Sequence, residues 1–517
     1  MSGYVPNIPQ AKREAELRNV EPVDIHAERW AEYERHAKQP AKPAEKTQLA
    51  LRIGVFFDGT GNNAANTALG IACGAHNPIK PEDLGTSCKP YMADPDSSYG
   101  NDVTNVRKLM DLYAEGAEPE GEGQRKQLSK KLYIDGIGTN PGGEDSRFGL
   151  GMGRGDTGVR GRVQQAFALI NKTVKRVIQE HPECEIGSLT FDVFGFSRGA
   201  AAARHFANEV VRSTQGNLRA TLQDNFKSLS QSFDDRFQRS VTMGFIGLFD
   251  TVASVGGLAN LGNIRSSITP WLNLYLSPKH FTNVFHLVAR DEVRANFPVS
   301  TVQPDHTEII LPGAHSDIGG GYLDNAEECI LISPMQALVV ARGTDVITTS
   351  IYRDAEQAKQ RLIAEGWPAS MLAIVTPAAQ LLPVDPSDRM APLQQRVYAA
   401  LQLNRRVSGG LSNVYLRVMY ERAKGAGVHF NEIDIHDPMY SVPAELQALS
   451  SRFSNGDYSV SADDEKRLKN RYIHVSAHWN NPLGKRTHSG ANLVYINAPS
   501  PDGIRRTHPH VPEWTLQ

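Results

Sequence analysis

Apolar residues run almost unbroken through residues 49–57, and the chain then turns into Asp58-Gly-Thr-Gly-Asn-Asn63. A strand covered on both faces needs that kind of continuous apolarity. Shorter runs of the same kind occupy 132–135, 189–194, 243–249, 284–289 and 308–311, and each closes in a polar or glycine-rich loop. Between them the period lengthens to that of a helix, over 105–115, over 200–211 and through Val163, Phe167, Ile170, Val174, Val177 and Ile178. Alternating strands and helices predict an α/β fold with a mostly parallel sheet flanked by helices. Ligands in such folds lie at the carboxyl ends of the strands. Residues 49–325 are therefore expected to form the α/β core, with any active site at its strand ends. The stretch 64–100 is expected to be long and irregular. Beyond Tyr322 the pattern predicts helices over 333–341, 354–365, 393–401 and 411–426, with short strands at 472–476 and 493–496. Residues 326–517 are read as a mainly helical covering region. Residues 1–48 are polar and proline-punctuated, with solvated helix expected inside 14–38 and a linker over 39–47.

The 189–194 strand leads into Gly195-Phe-Ser-Arg-Gly199, and a small-residue helix follows. Strand, Gly-x-Ser-x-Gly and helix together are the setting of a nucleophile elbow. A serine hydroxyl needs a neutral imidazole to take its proton and a carboxylate to orient that imidazole. Candidates occur in the order serine, acid, histidine, each at a predicted strand end: Ser197, Asp250 and His315. Asp291 is the rival acid and His306 the rival base. His286 lies within an apolar strand and reads as a core residue. Asp317 is expected to anchor the histidine loop. An oxyanion hole needs two backbone donors. The N–H of Arg198 is one, and the second is expected from Gly59 or Thr60.

Other chemistries are disfavoured. Residues 149–161 are rich in glycine and, with Arg154, Arg160 and the adjoining Arg162, could contact phosphate, but they lack the Gly-Lys-Ser/Thr of a phosphate-binding loop. His474 and His478 are four apart without the glutamate of a zinc-protease helix. No metal or cofactor is expected. Lys+Arg number 55 and Asp+Glu 57, a net charge of −2, so no nucleic-acid partner is implied. No apolar run reaches the ~18 residues of a membrane span. The N-terminus reads as lacking a signal peptide, so synthesis in the cytoplasm is expected. Cys73, Cys88, Cys184 and Cys329 have no metal-site spacing. Cys73 and Cys88 close one loop; a disulfide there fits an oxidising compartment, but free thiols are the default expectation for a chain made in the cytosol.

Four motifs together carry a resemblance: Phe56-Phe-Asp-Gly-Thr-Gly-Asn-Asn63, Gly195–Gly199, Phe249-Asp-Thr-Val-Ala-Ser-Val-Gly256 and Pro312-Gly-Ala-His-Ser-Asp-Ile-Gly-Gly-Gly-Tyr322. With His286–Phe297 and the late Tyr472-Ile-His, the chain resembles the first class of type VI secretion lipase effectors. The resemblance implies an α/β-hydrolase-like domain and a Ser197–Asp250–His315 triad. It also implies metal-free phospholipase A activity on membrane phospholipid and export by the type VI apparatus into a rival's periplasm. A VgrG-type spike and a cognate immunity protein are the implied partners, with the 1–48 arm as a place to dock the spike. Residues 258–276 carry Ile264, Ile268, Trp271, Leu272, Leu274 and Tyr275, the make-up of either a lipid-facing lid or a buried connection. The alternative functions are a cytosolic carboxylesterase acting on small esters and a non-enzymatic interaction protein that retains the fold.

Overall fold

The structure is a computed structural model. It describes residues 46–512 apart from 78, 81–82, 84, 120–124, 147–154, 213–215, 224, 254–271, 384–391 and 484–496. The chain divides into two units, Met1–Thr47 and Gln48–Gln517. The expected helices of the arm, the strand at 493–496, Arg154 and most of the 258–276 segment lie outside the described residues.

A seven-stranded sheet organises the second unit. Its strands are β1 (Thr47–Phe57), β2 (Gly116–Pro119), β3 (Arg125–Ile134), β4 (Cys184–Phe196), β5 (Val241–Phe249), β6 (Val284–Ala289) and, after the two-residue β7 (Val299–Ser300), β8 (Thr307–Leu311). The order across the sheet is β2-β3-β1-β4-β5-β6-β8. β3 runs parallel to β1, and β4, β5, β6 and β8 are parallel neighbours; β2 is antiparallel to β3. This is the mostly parallel α/β architecture expected.

Alternation along β1 shows how both faces are filled. Leu49, Leu51, Ile53, Val55 and Phe57 enter one apolar cluster, and Phe56 enters the other. The first cluster is roofed by α3 (Val159–Glu180), α4 (Arg198–Val211) and α5 (Asn217–Gln223). The second is covered by α2 (Asn105–Leu112), α8 (Leu411–Gly425) and α9 (Gln447–Ser454). Burial of both faces supplies the main favourable term, at roughly 25 cal/mol per Å² of apolar surface.

Elsewhere the structure corrects the pattern. Residues 64–100 are not wholly irregular: α1 (Ala64–Cys73) starts there, capped by the Asn63 side chain, which accepts from the N–H groups of Ala65 and Asn66. Cys73 and Cys88 are joined in a disulfide. The expected helices at 333–341 and 393–401 are strands. β13 (Gln394–Val407) is the centre of a second, antiparallel sheet with β9 (Ala326–Leu331), β10 (Gln336–Ala341), β11 (Leu372–Val375) and β12 (Gln380–Leu381). α7 (Ser350–Ala364) packs against β13, and α8 follows it, both close to the expected spans. Among the described residues, 472–476 pair with no strand: the N–H groups of His474 and Val475 are taken by the carboxylates of Asp317 and Glu328. No helix of the described residues is long and apolar enough to cross a membrane.

Candidate active site

The end of β4 makes a tight corner at Ser197. Its φ of 59° and ψ of −128° lie where a residue with a Cβ is strained. The backbone holds it there: Ser197 N–H donates to the Phe249 carbonyl at 3.0 Å, and its carbonyl accepts from Ala200 N–H at 3.0 Å and Val252 N–H at 3.3 Å. The flanking glycines are required by space. A Cβ on Gly195 would lie 2.6 Å from the Ala200 Cα, and one on Gly199 would lie 2.2 Å from the Asp58 carbonyl oxygen. α4 begins at Arg198, so its first-turn N–H groups have no acceptor within the helix.

Asp250 follows β5, next to β4 in register, since Phe196 pairs with Phe249. It too has positive φ, at 41°. Strain at two successive strand ends, both in chemistry-bearing residues, fits a functional site. The Asp250 carboxylate is fully buried. Its Oδ2 accepts from His315 Nδ1 at 2.5 Å and Arg505 Nη2 at 2.8 Å; its Oδ1 accepts from Ala289 N–H at 2.9 Å and Arg505 Nη1 at 2.7 Å. Burial alone would push the carboxyl up, but Arg505 and His315 together hold it far below the ordinary carboxylate range.

His315 opens the short helix α6 (His315–Gly319) beyond β8. Because Nδ1 donates its hydrogen to Asp250, the tautomer leaves a bare lone pair on Nε2. That atom is buried and has no hydrogen-bond partner among the described residues. The ring packs against Phe196 at 4.7 Å and edge-on against Phe297 at 5.0 Å. The Arg294 guanidinium covers Phe297 at 3.4 Å and is paired with buried Glu292 at 2.7 Å. Burial pushes the imidazole below its ordinary value of 6.5, against the opposing pull of Asp250. A base acts when neutral, so a lowered pKa extends activity toward acid. The acid limb of kcat/KM is expected below pH 6.5; a limb above pH 7 would contradict a base in this environment.

The two expected loop donors differ. Gly59 N–H is donated to Asp58 Oδ1 at 2.7 Å, leaving Thr60 as the loop donor to test. Arg198 Nε donates to Thr60 Oγ1 at 2.7 Å, which ties the loop after β1 to the start of α4. Asp58 itself is buried, and desolvation raises it to about 6 although Tyr133, Thr104 and Gly59 donate to it.

The rivals are placed elsewhere. Asp291 accepts from Gly313 N–H at 2.6 Å and pairs with Arg290. His306 Nε2 bonds the Leu276 carbonyl at 2.7 Å. His286 is held on both ring nitrogens, by Glu308 and by Thr251 N–H, as a core residue would be. Asp317 accepts from Ala314 N–H and from His474, so it anchors the loop. Arg162 serves structure: its Nη2 donates to the carbonyls of Gly136 and Thr139. Sequence reasoning missed Arg505, Glu292 and Arg294. The last two fall inside the 286–297 motif. Arg505 lies in a polar tail with no periodicity to mark it.

Residues 208–341 match the family model described as the catalytic domain of the Tle1-like phospholipase effectors of type VI secretion. That stretch holds Asp250 and His315 and begins after Ser197. Over that stretch the chain is similar to a Tle1-like catalytic domain. A solved structure of the Tle1 effector bound to the VgrG spike from the type VI secretion system is 28% identical to this chain. It covers 90% of this chain and 94% of that one, with a TM-score of 0.67. The crystal structure of an uncharacterized protein from Pseudomonas aeruginosa is 18% identical over 84% of this chain and 53% of that one; its TM-score of 0.35 carries no argument. No curated protein matches the chain.

Proposed function

We propose that the chain is an antibacterial type VI effector with phospholipase A activity, cutting acyl esters of membrane glycerophospholipids with Ser197, His315 and Asp250. The observation that carries this is the 2.5 Å bond from His315 Nδ1 to Asp250, beside a strained serine at the neighbouring strand end. His315 Nε2 takes the proton from Ser197 Oγ as that oxygen attacks the ester carbonyl. The N–H groups of Arg198 and Thr60 hold the oxyanion. As the tetrahedral intermediate collapses, the imidazolium returns its proton to the departing lysophospholipid alkoxide. Water, deprotonated by the same imidazole, then frees the fatty acid from Ser197. Asp250 stays ionised throughout and stabilises the imidazolium.

Delivery follows the same reading. The Tle1 effector that the chain resembles is bound to a VgrG spike. A VgrG-type protein is therefore the proposed carrier, with residues 1–48 as the docking arm and the target cell's periplasm as the destination. A toxin of this kind needs a cognate immunity protein in the producer. The test is product analysis on phospholipid vesicles labelled separately on the two acyl chains. The expected products are a free fatty acid and a lysophospholipid, formed by wild type and lost in Ser197→Ala. Hydrolysis of short soluble esters with vesicles untouched would overturn the phospholipase reading in favour of a small-ester carboxylesterase.

A further inference from the structure

We infer that Arg505, carried on the C-terminal segment, is a positioning residue of the reaction that fixes the plane and charge of Asp250 and thereby aims His315. This rests on the triad proposed above. Arg505 is 255 residues from Asp250 in the chain and grips it with two parallel bonds, Nη1 to Oδ1 at 2.7 Å and Nη2 to Oδ2 at 2.8 Å. A bidentate guanidinium and carboxylate are forced to share a plane. A carboxylate held by single donors can rotate about its Cβ–Cγ bond; this one cannot without breaking both. The rotation matters because Oδ2 is also the acceptor of His315 Nδ1.

The guanidinium is fixed in turn. Its Nε donates to the Phe297 carbonyl at 2.7 Å, and Nη1 also reaches the Ala289 carbonyl at 3.3 Å. Phe297 is the ring that packs on His315. One side chain therefore links the acid, the end of β6 and the wall of the imidazole pocket. The segment that delivers it docks through β14 (Thr507–His508), which pairs in parallel with β7, and through Ser500 N–H to the Val293 carbonyl at 2.8 Å.

Charge gives a second role. The groups facing His315 are Asp250, Glu292, Arg294 and, through Asp250, Arg505; Tyr322 is pushed far up by burial and stays neutral. Two carboxylates are balanced by two guanidiniums. Without Arg505 the imidazole faces one uncompensated negative charge and keeps its proton to higher pH.

The experiment is the pH profile of kcat and KM on a soluble short-chain p-nitrophenyl ester for wild type, Arg505→Gln, Arg505→Lys and Arg505→Ala, with Ser197→Ala as control. Thermal unfolding is followed for each. Arg505→Gln is expected to move the acid limb up by about 1 unit. Its kcat at pH 7 should fall roughly 10- to 100-fold with KM little changed, as expected of a group that acts through Asp250 and His315. Arg505→Lys keeps the charge but not the fork, so its limb should stay near wild type while kcat falls about tenfold. Millimolar guanidinium should restore part of the kcat of Arg505→Ala and leave Arg505→Lys unchanged. A folded Arg505→Gln with wild-type kcat and an unmoved limb overturns the inference. If Arg505→Gln does not fold, Arg505→Lys decides, and wild-type kcat in that variant overturns it equally. Full activity in Ser197→Ala would instead remove the triad itself, an outcome distinct from either.

Discussion

Ser197→Ala is expected to lower phospholipid hydrolysis by roughly 10⁴- to 10⁶-fold, the range found when a serine nucleophile is deleted. The loss should appear in kcat. The oxyanion donors and the pocket walls remain, so residual turnover above the background reaction is expected. Fold stability should hardly change. The backbone bonds of Ser197 to Phe249, Ala200 and Val252 do not involve its hydroxyl. Alanine also has a Cβ, so the strain at φ 59° is kept. The measurement is initial rate on vesicles beside a thermal melt. A folded variant with more than about one hundredth of wild-type activity would mean another group attacks the ester.

Asp250→Asn is the second large effect, and it differs by acting on stability as well. The amide cannot accept from His315 Nδ1 and from Arg505 with both of its arms. Either the imidazole takes the wrong tautomer, or Arg505 loses a bond. A comparable change in a serine protease costs about 10⁴ in kcat. Arg505 is left as a buried cation with no carboxylate at its fork, and breaking a buried pair from one side costs about 3–5 kcal/mol. A lower denaturation midpoint should accompany the lost rate. Asp291→Asn is the comparison. Asparagine can still accept from Gly313 N–H, and Arg290 keeps its second partner, Glu465, at 2.6 Å. Its activity should stay within about tenfold of wild type. Wild-type activity in Asp250→Asn, or a larger loss in Asp291→Asn, would move the acid to position 291.

Much of the sheet that carries this candidate site was readable before any coordinates. The sheet strands that carry it are covered on both faces, so their sequences are apolar without interruption, and β6 occupies the span its residues suggested. Strand ends in a parallel sheet converge, so Ser197, Asp250 and His315 could be sought at three such ends. What was not legible has physical reasons. β13 was read in part as a helix because Ala399, Ala400 and Leu401 favour helix, and because its inward side carries Gln395 and Arg405. Arg405 is acceptable there only because Glu328 and the carbonyls of Lys469 and Ile473 take its donors. No local pattern announces those partners. β3 was read short because its lysines masked the alternation at a strand one place from the sheet edge. Arg505 was missed for the same reason as Arg405: its meaning lies wholly in a carboxylate distant in sequence.

The proposed reaction depends on Ser197 being made nucleophilic by His315. The most direct measurement is the rate and site of covalent labelling by a fluorophosphonate, with the modified residue mapped by peptide mass spectrometry in wild type and in His315→Gln. One adduct is expected, on Ser197, formed with an acid limb below pH 6.5 and slowed at least ~10³-fold in folded His315→Gln. An adduct on any other residue, or labelling of His315→Gln at the wild-type rate, would contradict it.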